Sequence, residues 1–342
     1  MFTSINLLPP LHRKELKKYQ ERWNDSDGLR LRDKILKMIR NGAGEDFLQW
    51  DFEQGKMGFL ENMWDLRGID IHQEDINFPY GDNFEGIDFS YAKFYHSKFK
   101  NAVFISTAFN FTTLHNCEFI NCIFLFTGFY GSTSEKTKFI NCDFIEGDKI
   151  TNCDFRQSKF VNCFYLGRLF FDCRFDETTS IDIPIDEPSS TAEGIRLNKT
   201  ELAEIYSGIK ESYVAGDAVK QSRQYFFKQK QCLTRHNVNN LREKIGGYFL
   251  ELIAGYGIKP SRVLLSMLVT FLFYSSFPMV KLGIADGLML SAGAFFTFGA
   301  NSNYLQTLCL PFKVLYIAEA FSGISLIALF ITVLAKLWFG EK

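Results

Sequence analysis

The 342-residue sequence has almost no net charge, because 38 lysines and arginines balance 39 aspartates and glutamates. This balance argues against a protein that coats nucleic acid through a basic field, so we expect no nucleic-acid partner. Only 8 cysteines are present, too few and too regularly spaced for a secreted disulfide scaffold. The N-terminal residues contain no long apolar core, so we expect no secretory signal.

Motifs of the common enzyme classes are also missing. The sequence has no glycine-rich phosphate loop and no nucleophile elbow. Its 5 histidines are scattered, at positions 12, 72, 96, 115 and 236. We therefore predict that the protein is not an enzyme and holds no resident cofactor or metal ion.

Phenylalanine is in excess, with 37 residues, and in the middle of the chain a large side chain recurs every fifth position. A helix needs a period of 3.6 and a flat strand a period of 2, so neither fits. A period of five predicts a chain that turns a corner every five residues and points one large side chain inward. These positions are Phe84, Phe89, Phe94, Phe99, Phe104, Phe109, Leu114, Phe119, Phe124, Phe129, Phe139, Phe144 and, after a one-residue slip, Ile150, Phe155, Phe160, Tyr165, Phe170 and Phe175.

Two positions before fourteen of these eighteen large side chains stands a small residue, which leaves room for the rings in a stack of coils. Six of the 8 cysteines occupy this position. Their spacing matches no zinc motif, so we interpret them as buried small side chains. The small residues are Ala92, Ser97, Ala102, Thr107, Thr112, Cys117, Cys122, Thr127, Thr137, Cys142, Cys153, Ser158, Cys163 and Cys173.

The segments Cys-Asp-Phe at 142–144 and 153–155 and Cys-Arg-Phe at 173–175 resemble the pentapeptide-repeat proteins. The resemblance implies a right-handed, four-sided (quadrilateral) β-helix, which we place at residues 67–180. Some members of that family mimic DNA with an acidic surface. Here ten acidic residues between 81 and 175 are balanced by ten basic ones, so no such surface is expected.

Helical patterns flank the repeats. Residues 1–66 predict an amphipathic helical cap, residues 181–197 a linker, and residues 198–250 a helical hairpin. One hairpin is too small to be stable alone, and the sequence leaves open whether it packs on the repeats, on another subunit or on a membrane. The basic residues between Arg223 and Arg242 are interpreted as a solvated face or as a contact with anionic lipid.

Residues 251–342 contain long apolar runs. No charged residue occurs in 263–280 or 287–312, and only Glu319 occurs in 314–335. Two runs are long enough to cross a bilayer, which predicts spans at about 262–280 and 314–336. Together with the flanking basic residues, this predicts a multi-pass protein of the cell (inner) membrane with both termini in the cytoplasm.

The stretch between the predicted spans, 286–304, is too short for a third span and predicts a half-helix followed by extended backbone at Thr297-Phe298-Gly299. Span, half-helix, loop and span resemble the two-transmembrane pore domain of tetrameric cation channels, including potassium channels. The resemblance implies a homotetramer that needs no cofactor and lets K⁺ or Na⁺ pass transiently at the carbonyls of residues 297–299. The selectivity filter would be Thr297, Phe298, Gly299, Ala300 and Asn301.

The sequence of the predicted filter differs from that family's at positions that determine ion selectivity. Ala300 and Asn301 replace the family's aromatic residue and second glycine, so a potassium-selective and a non-selective cation pore both remain open. Glu319 is interpreted either as support behind the loop or as a group facing the pore or a proton path. Gly323 is interpreted either as a gating hinge or as a close-packing contact.

The sequence thus favours a homotetrameric cation channel whose cytoplasmic repeats serve assembly, sensing or partner binding. The partners would be further copies of the chain, membrane lipid, and a cytoplasmic protein or ligand on the repeats. Two alternatives remain: a membrane-anchored interaction scaffold with a non-conducting tail, and a signal-triggered effector that depolarises the membrane.

Overall fold

A computed structural model describes residues 17–40, 59–60, 63–77, 83–145, 148–166, 168–183, 199–236, 241–296 and 309–339. The chain forms two compact units, residues 1–229 and 230–342. Much of the predicted cap, residues 1–16, 41–58 and 61–62, lies outside the described residues.

The first unit is mainly short strands and the second is helical. The helices are α1 Ser26–Arg40, α2 Lys199–Ala215, α3 Val219–His236, α4 Leu241–Ala254, α5 Pro260–Leu282, α6 Ile284–Phe295 and α7 Leu310–Phe339. The strands are β1 Phe59–Leu60, β2 Met63–Asp65, β3 Asp70–His72, β4 Asp75–Asn77, β5 Asn83–Glu85, β6 Ile87–Asp88, β7 Lys93–Tyr95, β8 Lys98–Lys100, β9 Val103–Ile105, β10 Thr113–His115, β11 Glu118–Ile120, β12 Ile123–Leu125, β13 Gly128–Tyr130, β14 Thr133–Glu135, β15 Lys138–Ile140, β16 Asp143–Phe144, β17 Lys149–Thr151, β18 Lys159–Val161, β19 Phe164–Tyr165, β20 Phe170–Phe171 and β21 Ser180–Ile181.

The strands form a β-solenoid of about five turns. Apart from the β1–β2 pair, each strand pairs in parallel with the equivalent strand of the next coil. The longest ladder runs β4-β8-β11-β15-β18-β21, and two others run β3-β7-β10-β14 and β5-β9-β12-β16-β19. A fourth joins β2-β6 to β13-β17-β20 through the bridges Asp88–Ala108–Gly128. Each coil is therefore about four repeats of five residues.

The predicted inward positions form the core. At the predicted inward positions from Phe89 to Phe175 the large side chains are all 2% exposed or less, and equivalent rings stack from coil to coil. In one column the ring centroids of Phe99, Phe119, Phe139 and Phe160 lie 5.0, 5.0 and 4.8 Å apart. Ser134, which interrupts the phenylalanine series, also points inward and lies 3.4 Å from the Ser158 hydroxyl. The prediction from the period of five is confirmed.

The small inward residues also donate hydrogen bonds. The thiols of Cys122 and Cys142 each donate to the carbonyl of the residue 23 positions earlier, over 3.4 Å. The Thr112 hydroxyl donates to the Phe89 carbonyl in the same way, over 2.9 Å. Burial raises the pKa of the Cys117 thiol to about 11, so this thiol stays protonated at neutral pH. Serine, threonine and cysteine are thus suited to this position because they are small and can also tie one coil to the previous one.

The corners of the coils require a left-handed backbone conformation. The residue two positions after the inward one has a positive φ at most corners, and asparagine often stands there. Asparagine tolerates this conformation better than other residues with a Cβ. At one corner the side-chain amides form a ladder, in which Asn121 donates to Asn101 over 3.2 Å and Asn141 donates to Asn121 over 3.1 Å.

Substitution at such a corner gives a testable expectation. Asn121→Val should lower stability by about 1–2 kcal/mol, because a β-branched residue is strained at the observed φ of 54°. Asn121→Gly removes the same ladder hydrogen bonds but suits the conformation, so it should cost less. Thermal unfolding of the purified protein compares the two. Equal losses would mean that the ladder, and not the backbone, sets the preference.

The one-residue slip between Phe144 and Ile150 places Asp148 at a small inward position. Its Oδ1 accepts a hydrogen bond from the Thr127 backbone N–H over 2.5 Å, and no described residue is a hydrogen-bond partner of the buried Oδ2. Burial raises the pKa of Asp148 from 3.8 to about 7. The carboxyl group therefore bridges two coils at the irregular turn, and its ionised form is disfavoured there.

This raised pKa predicts a pH dependence of stability. Between about pH 4 and pH 7 the folded chain binds more protons at Asp148 than the unfolded chain, so its contribution to stability falls as the pH rises and is lowest above pH 7. Asp148→Asn should remove this part of the pH dependence, worth about 4 kcal/mol at most. The exposed Asp172→Asn is the control. If both variants give the same stability profile from pH 4 to 8, the Asp148 expectation is wrong.

The first coil is covered from the N-terminal side. Arg22 and Arg67 each make two side-chain hydrogen bonds to the Asp65 carboxylate, at 2.8–2.9 Å, and the Trp23 indole N–H donates to the Arg67 carbonyl over 2.9 Å. Burial alone would raise the pKa of Asp65, but the bonds from Arg67 and Arg22 outweigh it and lower the pKa to about 2. A charged, hydrogen-bonded cluster thus holds residues 17–25 on the solenoid.

The α2–α3 hairpin covers the last coil, which is the first of the three placements that the sequence left open. The hydroxyls of Tyr213 and Tyr225 donate to the carbonyls of Thr179 and Ile181, each over 2.7 Å. The Phe175 N–H donates to the Ser212 carbonyl over 3.0 Å. The hairpin therefore satisfies backbone groups that the end of a solenoid would otherwise leave exposed.

Candidate functional site in the apolar helices

Two helices of the second unit are long and apolar enough to cross a membrane. They are Pro260–Leu282 and Leu310–Trp338, and they are the two such helices among the described residues. A core helix of a soluble protein can be equally apolar, but it is mostly buried. Here only 11% and 17% of the most apolar windows are buried within the chain. Apolar surface of this extent needs lipid or further protein against it.

The short helix α6 lies between these helices and packs closely on both. A Cβ atom on Gly287 would lie 2.6 Å from the Met279 Cα of α5. A Cβ atom on Gly323 would lie 2.2 Å from the Phe295 carbonyl oxygen at the end of α6. Glycine at these two positions lets three helices meet without side chains between them.

A buried chain of polar groups ties the three helices together. Ser275 of α5 donates to the Ser291 hydroxyl of α6 over 2.9 Å, and Ser291 donates to the Glu319 carboxylate of α7. Ser275 and Ser291 are fully buried and Glu319 is 4% exposed. Burying a polar group in an apolar setting costs free energy unless the group is hydrogen-bonded. The hydrogen bonds among Ser275, Ser291 and Glu319 therefore fix the position of α6 between α5 and α7.

Glu319 also borders a cavity of about 20 Å³. Its other lining residues are Tyr274, Phe277, Pro278, Leu290, Phe312, Leu315 and Tyr316. A space of this size holds about one water molecule and no organic ligand. Among the described residues, no group of three or more histidine, cysteine or acidic side chains could hold a metal ion.

The ends of the two long helices meet on one side. Val263 in the first turn of α5 and Val333 near the end of α7 form a buried cluster with Ala254 of α4. The chain therefore enters α5 and leaves α7 at the same end of the helix pair. This is the arrangement that two successive membrane spans require.

The structure locates part of the predicted site. Glu319 lies beside Ser291, and Gly323 contacts the end of α6; the roles of both residues stay predictions. The predicted filter, Thr297 to Asn301, lies outside the described residues. The half-helix expected within 286–304 is the twelve-residue α6, which begins at Ile284.

Ser275, Ser291 and Gly287 were not predicted from the sequence. The sequence gives no reason to single out a serine in an apolar run, because a helix can satisfy its hydroxyl on its own backbone. The Ser275 hydroxyl lies 2.7 Å from the Phe271 carbonyl, which is the alternative acceptor to Ser291 for its one hydrogen. The signal that could have identified them is that Ser291 and Glu319 are the polar residues that helices α6 and α7 must bury together.

The repeats in the first unit match a known family of repeats. Residues 83–128 match the pentapeptide-repeat family in 8 copies of the repeat. A similar solved structure is that of a pentapeptide-repeat protein from the cyanobacterium Cyanothece 51142, with 14% identity over 34% of this chain and 88% of that chain and a TM-score of 0.24. Another is QnrB1, a plasmid-mediated fluoroquinolone resistance protein, with 14% identity over 34% of this chain and 65% of that chain and a TM-score of 0.12.

No curated protein matches the chain. The matched family residues all lie in the first unit, where the parallel ladders repeat with the period that the family implies. The chain therefore carries pentapeptide repeats, wound into a β-solenoid of about five turns.

Proposed function

We propose that this protein is a subunit of a homotetrameric cation channel of the cell (inner) membrane. Helices α5 and α7 would span the bilayer and α6 would enter it part-way, with both termini in the cytoplasm. The solenoid, right-handed and four-sided, would serve assembly, sensing or partner binding on the cytoplasmic side. No enzymatic step, cofactor or nucleic acid belongs to this proposal.

One observation carries the proposal: a short helix is clamped between two span-length helices by the buried Ser275–Ser291–Glu319 chain. A simple membrane anchor has no need of a short helix fixed by buried polar groups. A pore loop does, because its backbone must be held in place where it lines the path of an ion. The C-terminal end of α6 carries the negative end of the helix dipole, which favours a cation beyond Phe295.

The filter sequence, Thr297 to Asn301, lies just beyond α6 in the chain. Four copies would bring four such segments together around one axis, so a single chain cannot conduct. The exposed apolar surfaces of α5 and α7 supply area both for lipid and for contacts between copies.

The number of subunits is the first test of this proposal. Native mass spectrometry of the full-length protein, released from detergent micelles, should show a complex of four chains. Ser291→Ala breaks the polar chain without adding bulk and should lower the yield of that complex, whereas the exposed Ser325→Ala on α7 should not. A protein found only as monomers or dimers would contradict the proposal.

A further inference from the structure

Helix α4 presents an apolar face to its surroundings. Ile245, Tyr248, Phe249 and Leu252 follow helical spacing, and these side chains are 60%, 45%, 61% and 73% exposed. The other side of the helix holds it in place. Glu251 accepts a hydrogen bond from Gln231 over 2.6 Å, and a Cβ atom on Gly247 would lie 2.6 Å from the Thr234 side chain. These two contacts fix the orientation of α4, so its apolar face stays exposed.

The position of α4 along the two long helices is also fixed. Ala254, its last residue, is buried with Val263 and Val333, at the beginning of α5 and near the end of α7. The Arg262 guanidinium donates to the Glu251 carbonyl over 2.5 Å. Helix α4 thus lies at the level where both long helices end.

The connection between α4 and α5 turns the chain. Gly255, Tyr256 and Gly257 have φ values of 53°, 58° and 81°, three left-handed residues in succession. Such residues end a right-handed helix, so α4 does not continue along α5. A helix whose last residue is buried against the end of a membrane span lies near the boundary between water and hydrocarbon.

We propose that α4 lies on the membrane surface with its apolar face inserted among the lipid headgroups and the first carbons of the acyl chains. This inference rests on the proposed placement of α5 and α7 in the membrane, but not on ion conduction. The exposed Leu264, Leu265 and Leu268 of α5 continue the apolar surface into the bilayer. A tyrosine and a phenylalanine on the α4 face suit the interface.

Charge complementarity also favours lipid as the occupant. Between residues 241 and 262 the chain carries four basic side chains, Arg242, Lys244, Lys259 and Arg262, against two acidic ones, Glu243 and Glu251. A net positive segment beside the membrane attracts anionic headgroups. A second copy of α4 carries the same net positive charge, so pairing two copies of this face would bring like charges together and would not be favoured.

Site-directed fluorescence tests the proposal on the full-length protein. The six solenoid cysteines are buried, so replacing Cys232 and Cys309 by serine leaves no accessible thiol among the described cysteines. Phe249→Cys and, as a control on the opposite side of α4, Glu243→Cys are labelled with an environment-sensitive dye. The protein is reconstituted in phosphatidylcholine–phosphatidylglycerol vesicles. Quenching is then measured with shallow nitroxide lipids and with aqueous iodide.

The label at position 249 should be quenched several-fold more by the lipid quencher than by iodide, and the label at 243 should show the reverse. Stronger iodide quenching at 249 would mean that the face is in water. Protection of 249 from both quenchers would mean that protein covers it, and either result overturns the proposal.

A label at Leu268→Cys, in the predicted span, separates the failure of this proposal from the failure of the channel proposal. If lipid quenches 268 and 249 but no current flows, the channel proposal fails and this one stands.

Discussion

Replacing Gly323 by valine is expected to reduce cation flux to background and to lower the thermal unfolding midpoint of the helical unit. A Cβ atom there would lie 2.2 Å from the Phe295 carbonyl oxygen and 2.9 Å from its carbon. These are backbone atoms at the end of α6, so they cannot rotate away as a side chain could. Helix α7 must move off α6, which pulls Glu319 from Ser291. Overpacking of this kind costs about 1–3 kcal/mol or more.

The control for this prediction is a second helical glycine. Gly246 of α4 has no atom within 4 Å of an added Cβ, so Gly246→Ala should leave flux unchanged. Gly323→Ala should reduce both flux and the unfolding midpoint. Flux into potassium-loaded vesicles and thermal unfolding in detergent measure the two effects. If Gly323→Ala alters gating but keeps the midpoint, Gly323 acts as a hinge and the packing interpretation is wrong.

Replacing Gly216 by valine is expected to detach the helical hairpin from the end of the solenoid. A Cβ atom at Gly216 would lie 1.9 Å from the Phe175 carbonyl oxygen, closer than any contact can be. The hydrogen bonds from the Tyr213 and Tyr225 hydroxyls depend on this contact and would be lost with it. Losing the two bonds and the burial around them should cost about 3 kcal/mol or more.

Hydrogen exchange resolves this loss along the chain. Amides of the last coil, near Phe170 and Ile181, should exchange faster in Gly216→Val, whereas those of the central coils should change little. Gly128→Ala is the matched control, since it stands in one column with Ala108 and an added Cβ there has ordinary clearance. Unchanged protection near Ile181 in the valine variant would contradict the role assigned to the hairpin.

The solenoid was largely predictable because its signal is local and repeated. One large residue in five, usually with a small residue two positions before it, needs no long-range information. The large side chains at the predicted inward positions from Phe89 to Phe175 do form the core. The sequence did not predict the hydrogen bonds or the backbone conformation in the repeats. The donor role of Cys122 and Thr112 and the left-handed conformation at Asn121 depend on the neighbouring coil, which lies about twenty residues away.

The helical site was less predictable, because it depends on contacts between separate helices. The apolar runs marked α5 and α7 to within a few residues at each end. Glu319 and Gly323 stood out as a charge and a glycine in an apolar stretch. Ser275 and Ser291 acquire meaning only when α6 is placed between the two long helices, and no periodicity in the sequence specifies that placement. The conduction role of residues 297–301 stays a prediction from the sequence.

The most direct test of the channel proposal is the reversal potential of the reconstituted full-length protein under opposed potassium, sodium and chloride gradients. The proposal predicts a current carried by cations, with a reversal potential displaced from that of chloride. A value near the potassium potential would show that the altered filter still selects potassium, and a value insensitive to the exchange of sodium for potassium would show a non-selective cation pore. A reversal at the chloride potential, or no current from confirmed tetramers across a wide voltage range, would contradict the proposal.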